Sequence, residues 1–198
     1  SDIDVVIFGF RRLDEDGNEV FISSPKPRTR TRKDGINFLK GSPIFCNKMW
    51  RRELLVENNI FFPSRRYHED VATTPRGMYF ANSVQYIPEI LYNYKERQSS
   101  ITAQITDRNV VDLFIALDIV HNFLEEEGIS GLYAREFQRF IDRNFTYMQK
   151  LIENSQVSQQ EKKVLMRLCR VTRSGMTQHY FSKLPGWLRK MGAVRQRR

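Results

Sequence analysis

Asp4-Val5-Val6-Ile7-Phe8-Gly9-Phe10 is a nearly continuous apolar run of strand length. A strand that is apolar on both faces needs cover on both, as in a sheet flanked by helices. Leu13-Asp14-Glu15-Asp16-Gly17-Asn18 follows with Asp-Gly turn chemistry, and Val20-Phe21-Ile22 returns, which predicts a hairpin. Ser23 to Lys33 is rich in Pro and Arg, without apolar periodicity, and reads as an exposed, extended loop. Asp34 to Lys40 reads as a short helix with Ile36 and Leu39 inward, and Pro43 to Trp50 as a strand or extended segment. Arg51 to Asn58 reads as a helix that buries Leu54 and Leu55. Further on, Val84-Gln85-Tyr86-Ile87 and Leu91-Tyr92-Asn93-Tyr94 alternate as two strands separated by Pro88.

From Thr106 the character of the chain changes. Val110, Phe114, Leu117, His121 and Leu124 fall at helical spacing, with Val111 and Leu113 widening the stripe, and Gly128 ends the helix. A second helix, from Leu132 to Asn154, turns Phe137, Phe140, Ile141, Phe145, Met148 and Ile152 inward. Ser158 and Glu161 form a capping box ahead of a third helix carrying Val164, Leu165, Leu168 and Val171. His121 flanks an apolar stripe and is read as a packing residue, not a ligand. The fold class is therefore α/β, a sheet with flanking helices followed by a C-terminal helical appendage.

Composition limits the classes of function. The 198 residues are 40% hydrophobic and 28% charged, with no apolar run long enough for a spanning helix. Cys46 and Cys169 have neither metal-ligand spacing nor a disulfide framework and read as buried free thiols, as expected for a cytoplasmic protein. The net charge of +9 invites a nucleic-acid reading, but its distribution argues against one. Lys26–Lys33 holds five cations and no acid, Lys183–Arg198 holds six and no acid, and the remainder sums to −2. The body of the protein is thus not a basic platform. In the tail, Leu184-Pro185-Gly186-Trp187-Leu188 with its flanking cations suits anionic lipid. A nucleic-acid- or anionic-membrane-binding module using segments 26–33 and 183–198 is the alternative reading.

Arg65-Arg66-Tyr67-His68-Glu69-Asp70 carries the chemistry. It follows the apolar Ile60-Phe61-Phe62 and a Pro63-Ser64 turn, and leads into Val71-Ala72-Thr73-Thr74-Pro75, which reads as a helix start. A loop-to-helix junction can fix reactive side chains in position. The same residues also suit plain helix capping, since carboxylates favour a helix N-terminus.

Four segments, in order, resemble family 2 glycosyltransferases, the inverting group with the GT-A fold. They are the Asp4–Phe10 strand with its Asp-Gly turn; Asn47-Lys48-Met49-Trp50-Arg51-Arg52-Glu53-Leu54-Leu55 with Asn59-Ile60-Phe61-Phe62-Pro63; Tyr67-His68-Glu69-Asp70 at the place of a Glu-Asp motif; and Ile90-Leu91-Tyr92-Asn93-Tyr94 with Arg97 and Ser100-Ile101-Thr102. The branch resembled builds bacterial surface polysaccharides.

The resemblance implies a partial GT-A-type sheet and a division into residues 1–103 (acceptor-side half of the transferase), 104–182 (helical appendage) and 183–198 (basic tail). It implies Asp70 as general base, with Glu69 holding the acceptor or orienting the loop. His68, Trp50 and Arg97 would contact substrate: His68 the acceptor or diphosphate, Trp50 a sugar ring and Arg97 the leaving diphosphate. Trp50 suits a core position equally well. The family's nucleotide-binding half and metal-binding Asp-x-Asp have no counterpart here. Asp2-x-Asp4 opens an apolar strand and reads as its polar start. The chain is therefore expected to be part of a longer enzyme and inactive alone. That parent would hold the nucleotide-sugar donor and a divalent metal (Mg or Mn), with no metal bound by this stretch. The acceptor would be a glycan or lipid-linked, with peripheral contact at the inner membrane face and no nucleic acid partner. Without its sheet partners the first strand would present an apolar edge, which favours self-association.

Overall fold

The computed structural model describes residues 3–34, 36–96 and 105–182. The chain divides into two compact units, Ser1–Gln104 and Ile105–Arg198. The first is α/β and the second, in its described part, is helical, so the chain is of mixed α/β class.

The first unit is a five-stranded mixed sheet. β1 (Val5–Leu13) and β2 (Glu19–Ser23) form the expected hairpin, and β3 is Arg28–Thr31, β4 Lys48–Trp50 and β5 Ser83–Lys95. The order is β2-β1-β5-β3, with β4 paired to β1 beside β2. β1 and β5 run parallel, so the chain between them must cross over, and it carries α1 (Arg52–Glu57) and α2 (Glu69–Phe80). Asp4 fixes the corner. Its Oδ2 accepts the Asn82 and Ser83 N–H groups at 2.7 and 3.2 Å, and its Oδ1 pairs with Arg51 Nε at 3.3 Å. This carboxylate is a structural tie, while Asp2 lies outside the described residues.

Several expectations need correction. β1 is not an open edge: β4 pairs Val5–Ile7, β2 pairs Phe10–Leu13, and β5 covers the other side. β1 therefore offers no apolar edge for self-association. Apolar residues exposed at an edge lie instead on β2, where Val20, Phe21 and Ile22 are each about half exposed, and on β4 at Met49. Segment 26–33 is not a free loop. β3 pairs antiparallel with β5, Arg28 lies 4.2 Å over the Tyr86 ring, and Arg32 lies 5.6 Å over Tyr79. Backbone pairing and cation–π contact replace the apolar alternation that a strand normally shows.

The helix expected over Asp34–Lys40 is also absent. Arg32–Asp34 makes one 3-10 turn, and Phe38–Lys40 forms a turn that buries Phe38 and Leu39. Of Pro43–Trp50, only Lys48–Trp50 is strand. The two strands around Pro88 are one. Pro88 sits where the β1–β5 register shifts, between Ile7↔Tyr86 and Gly9↔Ile90, so its missing N–H breaks no regular pair. Leu55 is half-buried, and Leu54 is the buried residue of α1.

The second unit comprises α3 (Asp107–Glu126), α4 (Ser130–Asn154) and α5 (Gln159–Ser182). Gly128, at φ 68, ends α3 in the left-handed conformation that glycine accepts without penalty. Phe137, Phe140, Ile141, Phe145, Met148 and Ile152 are all buried, as their spacing predicts. The Ser158–Glu161 capping box is present: Glu161 N–H donates to Ser158 Oγ at 3.2 Å, and Ser158 N–H to Glu161 Oε2 at 2.9 Å. α5, however, buries Leu165, Cys169, Met176 and Tyr180, and leaves Val164 and Val171 outside. On α3, Val111 is likewise exposed. His121 stacks on Tyr180 at 3.9 Å, a packing role. The tail, 183–198, lies outside the described residues.

Candidate functional site

The N-terminus of α2, the loop before it and the segment Ser42–Trp50 form the candidate site. Asp70 is the second residue of α2, with Glu69 exposed beside it. The Val71 N–H donates to Asp70 Oδ1 at 2.8 Å. Helix capping and chemistry are therefore compatible, because a carboxylate offers about four acceptor positions and this bond takes one. His68 caps the helix in the left-handed region (φ 58, ψ 30) without a capping side-chain bond, and it is half-buried. Arg65 (φ 56) and Asn59 (φ 53) share that region. Asn and His enter it more readily than most side chains, but Arg adopts it uncommonly, and such strain persists only where the surroundings enforce it. Arg76 supplies part of that enforcement: it donates from NH2 to the Phe61 carbonyl and from Nε to Ala72 O, both at 2.9 Å. The loop is thus tied to the helix it feeds.

Segment 42–47 wraps the same end of the helix. The Thr74 hydroxyl donates to Pro43 O at 2.6 Å. Lys48, on β4 and buried, donates to Ser42 O at 3.2 Å, to Asn47 Oδ1 at 2.9 Å, and to Ile44 O. Three acceptors match the three protons of an ammonium, so Lys48 gathers the segment around its charge.

The electrostatics follow from this packing. Burial, reinforced by Glu69, pushes Asp70 up to about 6, while the Val71 N–H and Lys48 pull the other way. Burial likewise lowers Lys48 to about 8, against the attraction of Asp70. Each partner shifts towards its neutral form, so desolvation outweighs their mutual attraction. At neutral pH both still carry charge. The Tyr92 O–H, from β5, donates to Cys46 Sγ, and burial is the largest cause raising both groups. Cys46 feels the Asp70 charge as well, which places four titratable groups in one neighbourhood. Cys46 is only half-buried, short of the buried thiol expected.

Trp50 touches the protein on several sides. It stacks on Phe45 (4.9 Å, 14°), which in turn meets Phe62 edge-on at 4.7 Å. On α2, a Cβ at Gly77 would lie 2.9 Å from the Trp50 ring. The indole thus keys segment 45–50 to the helix. Arg97 and Ser100–Thr102 lie outside the described residues.

Sequence reasoning singled out Asp70, Glu69, His68 and Trp50; the first three stand together at the start of α2, while Trp50 packs against Gly77, in its third turn. It assigned no role to Lys48, Cys46 or Tyr92. Lys48 and Tyr92 stand inside the quoted motifs, so their position was legible but their convergence on Asp70 was not. Among the described residues no three His, Cys, Asp or Glu side chains group as metal ligands.

A half-buried carboxylate with a pKa near 6 is a competent proton acceptor at neutral pH, whereas a free aspartate, at about 3.9, is a weaker base. No protein-family model matches the chain. A stretch of 98 residues is 29% identical to a protein of Bacillus subtilis (strain 168) named "Putative glycosyltransferase EpsH". The match covers 48% of this chain, and the chain spans 28% of that protein's length. By this similarity the chain is related to glycosyltransferases.

Proposed function

We propose that the first unit is the acceptor-side half of an inverting, GT-A-type family 2 glycosyltransferase, with Asp70 as its general base. The observation that carries the reading is Asp70 itself: a carboxylate held at the strained entry to α2, raised to about 6 by burial and Glu69. The similarity to a glycosyltransferase of Bacillus subtilis supports the reaction class.

In the reaction, the acceptor hydroxyl gives its proton to Asp70 as its oxygen bonds to the anomeric carbon. The bond from that carbon to the nucleotide diphosphate breaks from the opposite face, which inverts the centre. Glu69, exposed at the same turn, orients the acceptor, and His68 and Trp50 complete its cradle. Arg97 pairs with the departing diphosphate, where charge develops. The donor, and a divalent Mg or Mn ion if the reaction uses one, bind to the rest of a longer enzyme. The acceptor is a glycan or lipid-linked, of the kind assembled into bacterial surface polysaccharide.

The test is Asp70→Asn in that longer enzyme. Transfer is expected to fall about 10²- to 10⁴-fold, the usual worth of a positioned base. Nucleotide-sugar affinity should be retained. In the parent enzyme kcat/KM should rise with pH through about 6, as Asp70 ionises. Undiminished turnover by the variant would remove Asp70 from the mechanism.

A further inference from the structure

The charge of this chain is concentrated more sharply than two basic segments suggest. Of its 32 Lys and Arg, eleven lie between Lys162 and Arg198, where there is no Asp or Glu; the other 21 share the chain with all 23 acids. Five of the eleven are on α5: Lys162, Lys163, Arg167, Arg170 and Arg173. The helical unit uses two of these internally. Arg173 donates to Asp142 Oδ1 at 2.8 Å, and Lys162 Nζ to Glu153 O at 2.7 Å. The other three are exposed.

Their placement gives the face its chemistry. Leu165, Cys169, Met176 and Tyr180 turn α5 inward. Directly opposite, at helical spacing, stand Lys163, Val164, Arg167, Arg170 and Val171. Val164 is 58% and Val171 63% exposed, one on each side of the central Arg167 in sequence. The helix thus carries apolar residues on its outer face. Next to the cations lies a groove of about 330 Å³, in which Lys162, Lys163 and Arg170 meet Met166 and Ile152, with Glu153 at its side.

We propose that the outer face of α5 docks on an anionic lipid surface. The helix would lie in the interface, with Val164 and Val171 among the upper acyl chains, Lys163, Arg167 and Arg170 at the lipid phosphates, and the groove receiving a headgroup. Cations alone fit a nucleic acid equally well. Exposed aliphatic residues interleaved with them fit a surface that has an apolar layer beneath its phosphates. Among the described residues no helix is long and apolar enough to cross a membrane. The inference stands on the helical unit and does not rest on the transferase reading.

The experiment is co-sedimentation of the whole chain with vesicles of phosphatidylcholine mixed with phosphatidylglycerol, and with pure phosphatidylcholine as the neutral comparison. Binding to the mixed vesicles only is expected. A triple variant, Lys163→Gln, Arg167→Gln and Arg170→Gln, should bind about 100-fold more weakly, the combined effect of three cations near an anionic surface. The double variant Val164→Ser and Val171→Ser keeps every charge and should lose about tenfold. All five positions are exposed, and unchanged helical circular dichroism shows that the variants fold. Wild-type binding by both variants would place the contact in the tail and overturn the proposal. Equal loss with the triple variant but none with the valine variant would reduce it to diffuse charge attraction and overturn it too. So would indifference to anionic vesicles combined with salt-steep binding to duplex DNA.

Discussion

The two units of this chain are built on opposite principles. In the helical unit the core is dominated by large apolar side chains, with Phe137, Phe140, Ile141, Phe145, Met148 and Ile152 from α4 alone, and Asn109, Asp112 and Asn144 are the buried polar groups among its described residues. In the α/β unit the interior of the candidate site is polar: Lys48, Asn47, Thr73 and Thr74 are buried, and Asp70 is half-buried among them. An apolar core needs only shape. A polar one must match each donor with an acceptor and leaves its charges short of solvation. The strained, chemically able groups lie in the α/β unit.

That contrast predicts the largest loss in the helical unit. Phe145, fully buried, should cost about 3–5 kcal/mol when truncated to Ala. Denaturant unfolding followed by helical circular dichroism measures it. A loss below about 1 kcal/mol would mean that α4 is not the centre of that core.

In the α/β unit the most sensitive position is a glycine. A Cβ at Gly9 would lie 2.6 Å from Ile90 Cδ1, 2.9 Å from Ser23 O and 3.1 Å from Glu89 O. Ile90 can turn away, but two backbone carbonyls held in the sheet cannot. Gly9→Ala should therefore cost about 2–3 kcal/mol, at the upper end of overpacking. A neutral effect would mean that the register shift around Pro88 yields easily.

How much of this was legible in the sequence follows the same division. α4 was read almost residue by residue, because helical periodicity and burial coincide when a core is made by shape. In α5 the helix was read but not its inward face, because one apolar period can point either way, and only packing on the neighbouring helices selects Cys169 and Met176. In the α/β unit the β1–β2 hairpin and the Glu69-Asp70 junction were visible. β3 was not, since Arg28 to Thr31 is held by backbone pairing and by Tyr86 and shows no apolar pattern of its own. Lys48 was seen as a motif residue, but its contacts with Ser42 and Ile44 are to carbonyl oxygens, which no residue type announces. Asp70 was found by motif and chemistry together; its raised pKa depends on desolvation, a property of the folded chain.

The pKa of Asp70 gives a prediction of opposite sign. Its folded value is raised to about 6 from an ordinary 3.8, so the folded state binds the proton more tightly than the unfolded one. Its ionised form therefore destabilises the fold at neutral pH, and that cost is relieved as pH falls from about 6 to about 4. Asp70→Asn should stabilise the α/β unit at pH 7 by about 1–2 kcal/mol. This is less than the full shift implies, because Lys48 loses a favourable neighbour. The gain should shrink as pH falls and vanish only below about pH 3, where the wild-type carboxyl is protonated in both states. Melting the two proteins at both pH values decides it, and destabilisation at pH 7 would show that the Asp70–Lys48 attraction outweighs burial.

Gly77→Ala should have the smallest effect, because two terms oppose each other there. Ala in place of Gly in a helix interior is favourable by about 1 kcal/mol. At Gly77, however, the new methyl would lie 2.9 Å from Trp50 Cζ3, 3.2 Å from its Cη2 and 3.4 Å from Leu55 Cδ2. The indole cannot slide freely, since Phe45 is stacked on it and Phe45 in turn meets Phe62. Overpacking of this kind costs about 1–3 kcal/mol, so a net loss of about 1 kcal/mol is expected. Trp50 fluorescence reports whether the indole has moved. In the longer enzyme proposed above, a disproportionate fall in transfer, with stability nearly unchanged, would show that the Trp50–α2 contact positions Asp70. Unchanged transfer would confine Gly77 to packing.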